Sequence, residues 1–275
     1  MLIVKNWLEE CEDSHEHCSL PSSTPLPTRL ISVSAGLLRL ELTKNLRSTP
    51  RYSTLSYCWG GSAFLKTTTS NLRDFLIRIP AERMPQTFID AIRVTRALGL
   101  AYIWIDSLCI VQDSDDDWRK ESSRMCDVYG GSYINIAASS ATQPSQSCFT
   151  KPRSFVDAFS ADVHVGRSRY TCEFHHVSSS YAFAINQSNL LTRAWAIQEK
   201  LLPTRTIHIG DRGAFWDCRS SIRMEASPHL HFEPVHNMNM ASLLPPDVSK
   251  RPEKDWAETW KHIVASYSSA KLTKS

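Results

Sequence analysis

Residues 85–106 read PQTFIDAIRVTRALGLAYIWID, and the change of period inside this stretch decides the fold. Phe88, Ile92, Thr95 and Leu98 recur at helical spacing. Pro85 suits the first turn, and Gly99 stands just past the end, where a chain leaving a helix often needs positive φ. From Ala101 the pattern becomes the continuous apolar run AYIWI, which closes on Asp106. A run without polar alternation predicts a strand buried on both faces, as in a parallel sheet.

The flanks repeat this alternation of helix and strand. Upstream, Leu38, Leu40 and Leu42 alternate with Arg39, Glu41 and Thr43 and predict a half-buried strand. Tyr52–Gly61 (YSTLSYCWGG) predicts a second strand that ends in a glycine turn, followed by a polar loop over 66–71. Downstream, Asp113–Asp117 supplies negative charge where a helix would start at Trp118, and Trp118, Ser122, Met125 and Tyr129 fall on one face. Gly130 and Gly131 end it, and Tyr133–Ala138 (YINIAA) reads as another buried strand. Two successive crossover units predict an α/β fold, a doubly wound, mostly parallel sheet flanked by helices.

The remainder is less periodic. Residues 139–189 are Ser-rich with one alternating stretch near 163–174, and predict an insertion with its own strands. Leu191–Leu202 is helical and stopped by Pro203. Arg205–Ile209 and Ala214–Cys218 flank Gly210, Asp211, Arg212 and Gly213, which predicts an added antiparallel hairpin with a four-residue loop. Residues 219–252 read as irregular connection or lid, and Trp256, Trp260, Ile263 and Tyr267 restore a helical period before Ser275. The expected division is an N-terminal appendage over 1–29, broken off by Pro21, Pro25 and Pro27, a main domain over 30–218, and a connection with a C-terminal helix over 219–275. That last helix reads as the opening of a longer region.

Composition narrows the classes. A chain of 275 residues with 42% hydrophobic content and a net charge of +3 can bury a large core, and gives no electrostatic reason to expect nucleic acid. Eight cysteines without a signal peptide read as reduced thiols of a cytoplasmic protein, and the longest apolar stretch, 98–111, is too short and too polar to span a bilayer.

Three groupings could carry chemistry. Cys11, His15, His17 and Cys18 crowd together, with Cys11, His15 and Cys18 on one helical face. Tetrahedral zinc wants ligands from spread directions, so the first reading is a polar helix end with buried thiols, and no metal is expected. Cys58 and Cys109 fall in apolar runs and read as small core residues rather than nucleophiles. Trp59-Gly60-Gly61-Ser62 has neither a nucleophile elbow nor a phosphate-loop pattern. The third grouping is carboxylates at the carboxyl ends of parallel strands, where open α/β sheets bind ligands. Asp106 ends one strand, and Glu199 lies one turn after Trp195. An aromatic face with a carboxylate suits a sugar or nucleoside; the plainer alternative is Trp195 in the core and Glu199 paired on the surface with Arg193, Lys200 or Arg205.

The blocks LSYCWG (55–60), MPQTFIDAIRVTRALGLAYIWIDSLCIVQD (84–113) and TRAWAIQEKLLPTR (192–205) resemble the fungal heterokaryon incompatibility (HET) domain over roughly residues 52–210. The resemblance implies a cell-death effector, acting with a sensor or receptor protein. HET domains are in turn similar to TIR domains, which implies a flavodoxin-like sheet, and a self-association loop over 107–117. In enzymatic TIR domains a Glu four residues after a Trp serves cleavage of the glycosidic bond of NAD, and Trp195 with Glu199 has that spacing, although Arg193 and Ala196 stand where those domains carry Ser and Cys. The resemblance therefore implies Glu199 as the catalytic carboxylate, Ser56, Tyr57, Trp59, Asp106 and Trp195 lining the crevice, NAD as substrate and no resident cofactor. The competing expectation is a non-enzymatic module that self-associates and recruits partners.

Overall fold

The computed structural model describes residues 1–20, 24–34, 36–149, 159–174, 181, 185, 188–211, 213–232, 260, 261, 263–265 and 268. In chain order the elements are α1 (Leu2–Ser14), β1 (Arg29–Ser32), β2 (Arg39–Leu42), β3 (Ser53–Ser56), α2 (Leu72–Ile77), α3 (Gln86–Ala97) and β4 (Tyr102–Trp104). There follow α4 (Asp106–Cys109), α5 (Asp115–Ser122), α6 (Met125–Gly130), β5 (Ile134–Ala138), β6 (Phe159–Val165), β7 (Ser168–Phe174) and α7 (Ala194–Leu201). The last four strands are β8 (Arg205–Gly210), β9 (Gly213–Cys218), β10 (Ile222–Met224) and β11 (Ser227–Phe232).

One nine-stranded sheet runs in the order β11-β10-β9-β8-β5-β3-β4-β1-β2, and β6-β7 form a separate antiparallel hairpin. The inner strands β8, β5, β3 and β4 are mutually parallel. Both flanks are antiparallel: β1 pairs with β4 and β2, while β9 pairs with β8 and β10. Counted along the chain, the four parallel strands lie in the order 2-1-3-4, so successive crossovers leave β3 in opposite directions. The crevice beyond the carboxyl ends of β3 and β5 is thus the topological switch point, where such sheets bind ligands.

The apolar runs fold as their period dictates. Every residue of β3 and β5 is buried. Phe88, Ala91, Ile92 and Thr95 of α3 are buried against the sheet, and the Thr95 and Ser53 hydroxyls meet at 2.7 Å. Leu98 and Gly99 close α3, Gly99 with φ of 77°. The β6-β7 hairpin matches the expected insertion strands.

Several expectations are corrected. Asp106 does not end β4; it opens α4, two residues further on. The helix expected from Trp118 is two, α5 and α6, and Trp118 is exposed. The break at Ser123–Arg124 coincides with Arg124 reaching back to the Leu26 carbonyl at 2.5 Å, and with Glu121 buried against Thr28. The helix expected from Leu191 starts at Ala194, preceded by a 3-10 turn. Pairing of β8 with β9 continues to Gly210 and Gly213, so the loop is two residues long rather than four. Residues 222–232, expected as irregular connection, add β10 and β11 to the sheet.

The stretch 1–29, expected as an appendage, packs into the main core through Val4, Trp7, Leu8, Cys11 and Cys18. Its α1 ends at Ser14, so Cys11, His15 and Cys18 do not share one helical face. Of the segment read as a self-association loop, Ser107–Val111 is buried in the core, and only 112–117 reaches the surface. Residues 260, 261, 263–265 and 268 of the expected C-terminal helix are helical. Trp256 and Tyr267 lie outside the described residues. Among the described residues no helix is long and apolar enough to cross a membrane, and no cysteine is in a disulfide.

Gly60, which turns the chain after β3, is required on two counts. Its φ is 63°, and a Cβ there would lie 2.7 Å from the Gln143 Cβ. Gly61 has open space and no positive φ. Gly60→Ala should cost about 2–4 kcal/mol, combining left-handed strain with overpacking, and Gly61→Ala less than about 1 kcal/mol. Urea denaturation of the two variants checks the difference, and equal losses would contradict it.

Candidate functional site

The switch-point crevice is built from the segments that leave β3, β4 and the start of α7. Beyond β3, Tyr57 is buried and Trp59 is partly exposed. Both aim at Asp106: the Tyr57 hydroxyl donates to Oδ1 at 2.7 Å, and Trp59 Nε1 donates to Oδ2 at 2.8 Å. The Ser107 amide donates to Oδ1 at 2.6 Å. Both oxygens of Asp106 are therefore engaged. Burial pushes its acidity toward the neutral form, opposed by these donors and by Arg193. The aromatic wall is completed by Phe64 and Phe88, edge-on to Tyr57, and the Lys66 ammonium sits 4.4 Å above the Trp59 ring.

Arg193 precedes α7 and donates to the Tyr57 carbonyl, which fixes the start of that helix over the end of β3. One turn into α7, Glu199 is 4% exposed. Asn135 of β5 ties this turn down by donating its Nδ2 to the Glu199 carbonyl at 3.3 Å. The same side chain accepts from Thr54 and Ser56 through Oδ1. Burial raises the Glu199 carboxyl from an ordinary 4.5 to about 7; Arg193 opposes the rise, Asp106 adds to it, and the Ser56 hydroxyl opposes it. Its Oε2 is buried with no hydrogen-bond partner among the described residues.

The two carboxylates thus differ in kind. Asp106 is saturated by protein donors and holds Tyr57 and Trp59 in place. Glu199 carries an unsatisfied oxygen, and such a group costs folding energy unless something else uses it. The surface ion pair considered as its plainer role is excluded by its burial, although Arg193 does face it. Arg205 and Lys200 are engaged elsewhere: Arg205 donates to Cys18 O, and Lys200 feels the charge of Asp217.

Of the six residues singled out in sequence, Ser56, Tyr57, Trp59, Asp106 and Glu199 are brought to this end of the sheet. Trp195 lies on α7 one turn before Glu199, and its side chain lies outside the described residues. Sequence reasoning named Arg193 only as a surface partner of Glu199, and missed Asn135 and Tyr129, the latter a buried phenol that feels the charges of both Glu199 and Asp106. The Asn at the centre of the apolar run YINIAA was the available signal for Asn135, because a lone amide inside a buried strand needs polar partners. Cys58 and Cys109 are buried, and desolvation pushes both thiols above their ordinary pKa, as befits packing residues.

A carboxyl whose pKa is raised on folding keeps its proton in the native state over a window where the unfolded chain has lost it. Its stabilising contribution is complete below pH 4.5 and lost as pH rises through about 7. Relative to Glu199→Gln, the wild-type chain should therefore lose about 3 kcal/mol across that window. Urea titrations of both proteins from pH 4 to pH 8 measure it; parallel pH profiles would show that Glu199 ionises normally.

No curated protein and no solved structure matches the chain. Residues 52–199 match the family described as heterokaryon incompatibility protein (HET), a span that runs from the residue before β3 to Glu199 itself. It contains three of the four inner strands, β3, β4 and β5, the helices between them and every residue of the crevice, and on that match the chain belongs to the HET family.

Proposed function

We propose that this HET domain acts in heterokaryon incompatibility by cleaving the N-glycosidic bond of NAD, with Glu199 as the catalytic carboxylate. The observation that carries the reading is the unsatisfied Oε2 of a buried Glu199, raised to about 7, at the switch point of the sheet. A group with that acidity is ionised in a useful fraction near neutral pH.

In the reaction the bond between ribose C1′ and the nicotinamide ring nitrogen breaks. Its electron pair leaves with nicotinamide, which departs neutral, and positive charge develops across C1′ and the ring oxygen. The Glu199 carboxylate holds the ribose hydroxyls and offsets this charge, in surroundings dry enough for the attraction to count. Water then adds to C1′ and releases a proton. Trp59, held through its Nε1 by Asp106, offers a ring for stacking. Lys66 above that ring supplies a cation for the diphosphate.

Purified protein at high concentration should consume NAD and release nicotinamide, with an ascending pH limb near 7. Glu199→Gln should abolish the loss while keeping the fold. NAD turnover that persists unchanged in Glu199→Gln would end the proposal. Absence of turnover in both proteins, even when domains are forced together by a fused oligomer, would instead favour a module that signals by self-association and by recruiting a sensor or other partner.

A further inference from the structure

We propose that Cys11, His15, Cys18 and Cys218 form a structural zinc site that fastens the N-terminal segment to the end of β9. The ligand atoms of these four residues all lie within 4.8 Å of one another. Bonds of about 2.3 Å to sulfur in a tetrahedron place neighbouring sulfurs about 3.8 Å apart, so the grouping is close to that size. His15 presents Nδ1, 3.4 Å from the Cys218 sulfur. All three thiols are buried.

The objection raised by sequence is removed by the fold. Four ligands on one short segment cannot surround an ion, but α1 stops at Ser14 and the backbone turns extended at His15. A 3-10 turn over Glu16–Cys18 then carries Cys18 round to face Cys11. The fourth ligand is not His17 but Cys218, two hundred residues on. Ligand directions therefore come from a helix end, a turn and a strand end.

The surroundings fit a charged centre. Zinc with three thiolates and a neutral imidazole carries one net negative charge. Arg205 is buried beside it, and donates Nε to the Cys11 sulfur at 3.2 Å and a guanidinium NH₂ to the Cys18 carbonyl at 2.8 Å. Among the described residues no carboxylate pairs with Arg205, so a buried cation lacks the usual counter-charge that the zinc–thiolate group would provide. The Ser221 amide donates to the Cys218 sulfur at 3.3 Å, an outer contact of the kind that orients a ligating thiolate. Three sulfurs and one nitrogen in tetrahedral array favour zinc over harder ions. A four-ligand set with no open position makes the site structural rather than catalytic. All four residues lie outside the segment that matches the family.

The test uses the full chain, purified without chelator. Metal analysis should find about one zinc per chain, and exchange with cobalt should give the intense visible spectrum of tetrahedral thiolate coordination. His15→Cys should keep one zinc, His15→Ala should weaken zinc at least tenfold in competition with a chromophoric chelator, and His17→Ala should bind as wild type. The proposal is overturned by a folded wild-type chain without metal, by iron in place of zinc, by a disulfide among Cys11, Cys18 and Cys218, or by full zinc retention in Cys218→Ser.

Discussion

Asp106 is the constraint on which the crevice depends. Burying a carboxylate costs several kcal/mol unless donors surround it, and here the donors come from two different strand exits: Tyr57 and Trp59 after β3, and Ser107 at the start of α4. Satisfying one charge therefore fixes the relative position of two loops. Tyr57, so held, offers its carbonyl to Arg193, and Arg193 sets where α7 begins. The position of Glu199 is inherited through that sequence of contacts, each link a hydrogen bond whose loss would leave a buried polar group unpaired.

The difference between the two acids follows from geometry rather than from residue type. Asp106 has a short side chain on a turn, within reach of backbone and indole N–H groups. Glu199 projects from a helix whose backbone N–H groups serve the helix's own hydrogen bonds, and the Asn135 amide is spent on the Glu199 carbonyl. A carboxylate placed this way stays short of donors while an attractive Arg193 keeps its ionisation near neutrality. Such mixed control by burial and one cation is a common route to a reactive carboxyl.

Sequence read well wherever burial on two sides wrote a plain pattern. β3, β4 and β5 are runs of apolar or small residues between turns, and α3 has an uninterrupted period, so the parallel centre and the residues at its strand ends were legible. It read poorly where polar side chains are buried by partners far away in the chain. β1 (RLIS) begins with Arg29, which bonds the Cys109 carbonyl at 2.6 Å and pairs with Asp117. β10 (IRM) buries Arg223 against Glu10. An arginine in a three- or four-residue segment argues for exposure until its counter-charge is known, and periodicity cannot supply a partner eighty or two hundred residues distant. Cys218 was invisible as a neighbour of Cys11 for the same reason.

The contacts of α1 also set an order of events during synthesis. Trp7 donates to the Pro228 carbonyl and Glu10 pairs with Arg223, while Cys18, on the turn that follows the helix, lies beside Ser220. These partners leave the ribosome some two hundred residues after the helix does, a delay of about 10–40 s at ordinary elongation rates. The parallel centre can assemble in that interval, while Val4, Trp7 and Leu8 still have no strand to cover them. Over that interval the nascent chain carries an amphipathic helix whose apolar face, Val4, Trp7 and Leu8, lacks its later strand partners. That face is a natural point of engagement for a chaperone.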